Sequence, residues 1–305
     1  MELTILGCYA ATPRAFTNPS AQVLQMKGNM LLIDCGEGTQ VQLRRFKVKF
    51  SRIKRVFISH LHGDHFYGLI GLISTFRLLG RDAPLHVYGP KGIKEAITLQ
   101  LKLGDSWTNY PLYFHELESK RPQVIYEDHK LTVETIPLKH RVYTNGYLFR
   151  EKPGERKLDV KAAEALGVDK SYFRKAKQGY DVPDNQGEMV ANQLITSDPE
   201  PVLSYAYCSD TVYLPELAEQ LRGVDVLYHE STFLSEHEHL CERTKHSTAA
   251  QAAKLAKEAN VGTLILGHYS TRYPDLEAFR QEALRYFPRV ELADDGKRFQ
   301  FEADG

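Results

Sequence analysis

The chain has 305 residues, of which 42% are apolar, and it carries 39 Lys/Arg against 39 Asp/Glu, so its formal net charge is zero. That length supports one large α/β domain or two small ones with a packed core, and the balanced charge excludes a global attraction to nucleic acid or acidic membrane, so any polyanion site must be a local patch. The cysteines Cys8, Cys35, Cys208 and Cys241 fall at no CxxC spacing, no leader pattern opens the chain, and the longest apolar stretch, Tyr67–Phe76, is half of the ~20 residues a bilayer span needs, so a reducing cytoplasm and no membrane segment are expected.

From Met1 to about Arg150, short β-rich runs alternate with helical stretches. Leu3–Leu6, Met30–Ile33 and Arg55–Ile58 read as strands because their apolar runs are too short for helices. Leu85–Tyr88 is another, followed by Gly-Pro-Lys-Gly and an amphipathic helix over Ile93–Leu103. Leu131–Ile136 and Gly146–Phe149 look like paired strands, rich in Val, Ile, Thr and aromatics. The segment 152–193 breaks this texture: it is polar, charge-dense and interrupted by Gly and Pro, as an insertion within a single domain 1–305 would be. After it, strands at Val202–Cys208, Val224–Tyr228 and Thr263–Leu266 alternate with helices at Leu214–Leu221 and Thr248–Ala259, and Thr248 with Gln251 forms a capping box at the start of the second helix. Two βαβ-rich halves packed face to face are expected.

The chemistry gathers where strands end. His60, His62, Asp64 and His65 follow the strand Phe57-Ile-Ser59 within six residues, and imidazole with carboxylate is the donor set that suits Zn²⁺. His140, Asp210 and His268 each follow a later apolar strand, and the seven together suffice for two metals bridged by a carboxylate. Asp34, ending Leu31–Ile33, either orients a metal-bound histidine through its second ring nitrogen or caps a helix near Gly36–Gln40. His246, ahead of the helix at Thr248, is either a structural residue at the cap or, with Glu230 beside it, a proton donor to a leaving oxygen.

These motifs carry a resemblance. Asp34-Cys-Gly-Glu-Gly-Thr-Gln40, His60-Leu-His-Gly-Asp-His65, Val87-Tyr-Gly-Pro-Lys-Gly-Ile93, Ser209-Asp-Thr211, His229-Glu-Ser-Thr-Phe233 and His246-Ser-Thr248 together resemble ribonuclease Z, the tRNA 3′-processing endonuclease family, over nearly the whole chain. The resemblance implies an α/β fold of the metallo-β-lactamase type, an αββα sandwich with a protruding arm, and a homodimer with no organic cofactor. It implies Zn²⁺, two per subunit: one held by His60, His62 and His140, the other by Asp64, His65 and His268, with Asp210 bridging. Asp64 would also accept a proton, and His246 matches the family's further catalytic histidine.

The implied reaction removes the 3′ trailer from precursor tRNA after the discriminator base, leaving a tRNA 3′-hydroxyl and a 5′-phosphorylated trailer. The family's arm clamps the tRNA elbow, which matches the place of the insertion at 152–193. Between Gly154 and Gly179 seven cations, Arg156, Lys157, Lys161, Lys170, Arg174, Lys175 and Lys177, stand against four acids, with Tyr172 and Phe173 interleaved. Such a stretch is either an RNA-contacting patch or a solvated helical face. Relatives commonly carry a Gly-Pro pair in the arm; here the corresponding stretch is Gly167-Val-Asp-Lys-Ser-Tyr172.

Overall fold

The computed structural model describes residues 1–303 and divides them into two compact units, Met1–Arg150 with Leu203–Glu302, and Glu151–Val202 with Ala303. The larger unit contains two sheets of seven strands. The first is built from β1 (Glu2–Gly7), β2 (Ala21–Met26), β3 (Asn29–Ile33), β4 (Ile53–Phe57), β5 (Leu85–Pro90) and β6 (Leu112–Leu117) in that spatial order, with Arg298–Gln300 on the free edge of β1. The second runs from β7 (Val124–Glu127) through β8 (Leu131–Lys139) and β9 (Tyr143–Glu151) to the strands Ser204–Cys208, Val226–Glu230, Thr263–Gly267 and Val290–Leu292. β3, β4 and β5 run parallel in the first sheet, as do the last four strands of the second, while β9 pairs antiparallel with Ser204–Cys208.

Strand periodicity explains the layering. In β3, Leu31 and Ile33 point into the core between the sheets, whereas Met30 and Leu32 point outward under α1 (Thr39–Arg45), α3 (Gly68–Leu78) and α4 (Ile93–Leu103). Both faces are covered, so the strand reads as a continuous apolar run. On the outer side of the second sheet the helix Ala249–Glu258 buries Ala249, Ala252, Ala253 and Ala256, and Glu277–Leu284 buries Phe279 and Ala283. The αββα order implied by the resemblance is present. Between the sheets Phe57 stacks on Tyr88 at 5.0 Å and meets Phe149 edge-on at 5.3 Å, anchoring β4 just before the histidine ribbon.

The capping box at Thr248 and Gln251 is formed as read, and Ile93–Leu103 has the expected bounds. The helix expected over Leu214–Leu221 is reduced to Leu217–Gln220, after Pro215. No helix among the described residues is long and apolar enough to cross a membrane, and the four cysteines are free and buried.

The smaller unit has its own core of Ala163, Val168, Ala176, Val182 and Ile195. Two short ladders, Lys157–Leu158 with Thr196–Ser197 and Val182–Pro183 with Met189–Val190, tie it together. It reaches beyond the 152–193 bounds because Ile195 fills its core and Thr196–Ser197 pair with Lys157–Leu158; within the bounds, buried Asn192 donates to the carbonyls of Ala176 and Tyr180 at 2.7 and 2.9 Å.

Candidate metal centre

Every candidate ligand sits where a strand of the larger unit ends. Asp34 follows β3, Ser59–His65 follow β4, His140 lies between β8 and β9, Asp210 follows Ser204–Cys208, and His268 follows Thr263–Gly267. Three of these ends turn through the left-handed region: Asp34 at φ 55°, Asp210 at 58° and His268 at 58°. Non-glycine residues there are uncommon and mark backbone held against its preference, which concentrates at functional sites. The ribbon begins a short helix, α2 (Gly63–Phe66), which packs tightly on the Asp34–Gly38 loop. A Cβ on Gly68 would lie 1.9 Å from the Gly36 carbonyl oxygen, and one on Gly36 would lie 2.4 Å from that of Asp64, so both positions require glycine.

The side chains divide into two groups. His60 Nε2 lies 2.9 Å from His62 Nδ1, which lies 3.2 Å from His140 Nε2. Across the site, Asp64 Oδ2 is 3.4 Å from His65 Nε2 and 3.5 Å from His268 Nε2, and the two imidazole nitrogens are 3.4 Å apart. Asp210 faces both groups: its Oδ2 lies 3.6 and 3.7 Å from His60 and His140, its Oδ1 3.1 and 3.2 Å from His65 and His268. Tetrahedral zinc, with bonds of about 2.0–2.1 Å, places neighbouring donors about 3.3 Å apart, so these spacings fit the edges of two coordination shells sharing one carboxylate. Burial lowers the pKa of His60, His62 and His140, keeping them neutral as ligation requires. Against the opposing effect of burial, Asp210, Asp64 and Asp34 raise that of His65, reflecting three carboxylates crowded where a cation would be welcome.

Four of the five candidate ligand histidines have the ring nitrogen away from the site engaged by a neighbour. His65 Nδ1 meets Asp34 at 2.7 Å, His60 Nδ1 meets Ser59 Oγ at 3.0 Å, His140 Nδ1 meets the Lys245 carbonyl at 2.9 Å, and His268 Nδ1 meets Thr232 Oγ1 at 2.9 Å. Asp34 also accepts from Ser59 N, Ser59 Oγ and Tyr207 OH at 2.7 to 2.9 Å. The helix after it is preceded by Gly38 with no side-chain cap, so of the two readings of Asp34 the geometry favours the histidine partner.

His246 packs its ring on those of His140 and His268, at 5.1 and 5.3 Å, and its Nδ1 lies 2.8 Å from Glu230 Oε1. Burial alone lowers this imidazole, but the Glu230 carboxylate outweighs it and pushes the pKa up to about 9. Glu230 is fully buried and also accepts from Thr211 N, Thr232 N and Thr232 Oγ1.

Two models match parts of the chain, one described as Beta-lactamase superfamily domain over residues 184–269 and one as Anti-Pycsar protein Apyc1 over residues 1–152. A ribonuclease Z of Bacteroides fragilis is 44% identical over 294 residues, covering 96% of this chain and 97% of that protein. A ribonuclease Z of Cytophaga hutchinsonii is 45% identical over 302 residues, 98% of this chain and 95% of that one. The chain belongs to the ribonuclease Z family. Among solved structures, the short form of human tRNase Z superposes with a TM-score of 0.72 at 26% identity, covering 98% of this chain and 99% of that one. The larger unit thus has the metallo-β-lactamase fold.

In this ribonuclease Z family member two clefts flank the ligands. One, of about 320 Å³, is lined by Thr12, Asn18, Glu37, Asp64 and Tyr67; the other, about 510 Å³, by His246 with Arg141, Arg243 and Arg272. The sequence reading missed those arginines, which are scattered singly, and missed Ser59, Thr232 and Tyr207, whose hydroxyls carry no motif of their own. The seven cations of 154–179 divide by environment. Arg156 pairs with Asp198, Lys157 with Glu200 and Lys170 with Glu164, whereas Lys161, Arg174, Lys175 and Lys177 are exposed and form no ion pair among the described residues. Arg156, Lys157, Arg174 and Lys177 line one cleft with Phe173.

Proposed function

We propose that the chain is a dinuclear zinc endoribonuclease that removes the 3′ trailer from precursor tRNA, cutting after the discriminator base to leave a tRNA 3′-hydroxyl and a 5′-phosphorylated trailer. The observation that carries this reading is the division of Asp210 between two donor groups in a chain similar to ribonuclease Z along almost its full length. His60, His62 and His140 would hold one ion, Asp64, His65 and His268 the other, with Asp210 shared and Asp34 orienting His65. A bound pair of this kind supplies Lewis acidity to a phosphoryl group and acidity to an attacking water. Asp64, at the edge of the cleft it lines with Glu37 and Asn18, would orient the water and take its proton. His246, kept protonated by Glu230, delivers a proton to the departing 3′ oxygen.

The enzyme would act in the cytoplasm as a homodimer, with the unit Glu151–Val202 gripping the tRNA body. Its unpaired cations Lys161, Arg174, Lys175 and Lys177 would make the main phosphate contacts, and Arg156, Lys157 and Lys170 would join them by exchanging a carboxylate for a phosphate. The test is to incubate zinc-loaded protein with a 3′-extended precursor tRNA, a mature CCA-ended tRNA and a small phosphodiester. Site-specific cleavage next to the discriminator base is expected. Turnover of the small ester alone would move the assignment to another hydrolase of the superfamily.

A further inference from the structure

One stretch of the larger unit is out of keeping with the chain's neutral balance. Between Arg44 and Arg55 seven of twelve residues are Lys or Arg and none is acidic. Six of them, Arg44, Arg45, Lys47, Lys49, Arg52 and Lys54, are exposed, and none forms an ion pair with another described residue. Two are laid against aromatic faces: the Arg44 guanidinium lies 5.6 Å from the Phe50 ring centre and Arg45 5.7 Å from that of Phe46. Lys47 sits at φ 55° just past the end of α1, turned back by its amide donating to the Arg44 carbonyl. The stretch borders a concavity of about 560 Å³ lined by Arg44, Lys49, Phe50, Arg52 and Leu79, in which Asp82 is the sole acid.

This surface is remote from the metal centre. It lies at the start of β4, whereas the ligands follow the end of that strand, and five residues at about 3.3 Å each separate the two by roughly 16 Å. A polynucleotide strand with a phosphate about every 3.4 Å would need about five nucleotides to cross that distance. A cation-rimmed groove with an aromatic wall has the chemistry of a nucleic-acid backbone site: phosphates meet the guanidinium and ammonium groups, and sugars or bases meet Phe50.

We propose that the Arg44–Lys54 surface is a second RNA-docking site on the catalytic unit, separate from both the metal centre and the 151–202 unit, which binds the phosphate backbone of the substrate away from the cut. The proposal rests on the RNA-processing function proposed above, and its test separates the two. The fourfold variant Arg44→Gln, Arg45→Gln, Lys49→Gln and Arg52→Gln removes charge far from the ligands, so zinc content and turnover of a small phosphodiester should match the parent. Its Kd for fluorescein-labelled precursor tRNA should rise at least about tenfold near physiological salt. The slope of log Kd against log salt should shrink by about 3, since each phosphate contact contributes about 0.7 to 0.9. Should the fourfold variant melt below the parent, the pair Lys47→Gln and Lys49→Gln should still shrink the slope by about 1.5. An unchanged Kd and slope would overturn the proposal and leave a solvated face. Loss of binding to phosphatidylserine vesicles with RNA affinity intact would overturn it in favour of a membrane surface. If the parent fails to cleave precursor tRNA, the proposed function falls, but the binding comparison still decides the docking site.

Discussion

Glu230 holds its place by accepting from two backbone amides and a threonine hydroxyl, and the remaining direction of its carboxylate is spent on His246. Burial opposes its charge, yet the His246 imidazole beside it keeps its pKa below the usual value. The sign of the consequence follows from that pairing. His246 is protonated below its raised pKa of about 9 and loses the proton above it. Glu230→Gln removes the carboxylate, so the imidazole deprotonates at lower pH, and the alkaline limb of kcat/KM on precursor tRNA should move toward neutrality. His246→Ala should lower kcat by about 10²- to 10⁴-fold, the usual contribution of a positioned acid, with zinc content unchanged by metal analysis. Loss of zinc in that variant would recast His246 as a ligand. Asp34→Asn keeps the size but weakens the hold on His65, and zinc affinity or activity should fall by about 10- to 100-fold, read by competition with a chromophoric chelator.

Strands, rather than loops, set the site, because five strand ends in two sheets point their last side chains at one place. The 230–250 excursion that carries His246 is held differently: Glu282, on the helix Glu277–Leu284, accepts from Ser235 N at 2.9 Å and Ala250 N at 3.0 Å and so closes the excursion at its base. Glu282→Ala leaves the amide of buried Ala250 without its partner, at about 1–3 kcal/mol, while the exposed Ser235 amide can turn to water. Thermal melting should show a lowered Tm, and kcat should drop with little change in zinc content. Much of this level was legible in the sequence. β3 announces itself through an apolar run buried on both sides, β4 through Val56 and Phe57 at its end, and the helix Ile93–Leu103 through its apolar face of Ile93, Ile97 and Leu101 after Gly92. β2 did not, since Gln22 and Gln25 interrupt its pattern; Gln22 is buried and accepts from the Tyr205 hydroxyl, a contact 183 residues away in sequence. All seven candidate ligands could be picked from strand ends alone, but which nitrogen of each histidine faces inward depends on Ser59, Thr232 and the Lys245 carbonyl, and no local pattern encodes those. The arginines about His246 come from three distant segments and were invisible for the same reason.

For the molecule as a whole, the proposed function would divide between the metal centre of the larger unit and the smaller unit, whose cations cluster between Arg156 and Lys177, and the division is separable by experiment. Replacing residues 152–201 with a short Gly/Ser linker should abolish cleavage of precursor tRNA while sparing a small phosphodiester; equal loss of both activities would show that the smaller unit supports the metal centre rather than the RNA. Dialysis against a chelator should lower Tm and remove both activities together, because crowded carboxylates at Asp34, Asp64 and Asp210 lose the charge that offsets their repulsion. The placement of Asp210 between the two donor groups has one more consequence. If each of its oxygens holds an ion as proposed, the first ion would fix the orientation of the second oxygen, so the second ion would meet a site already ordered. Metal uptake would then be cooperative: titrated with limiting zinc, the population should split into empty and doubly loaded molecules, and activity should rise in proportion to the loaded fraction with scarcely any half-filled enzyme between.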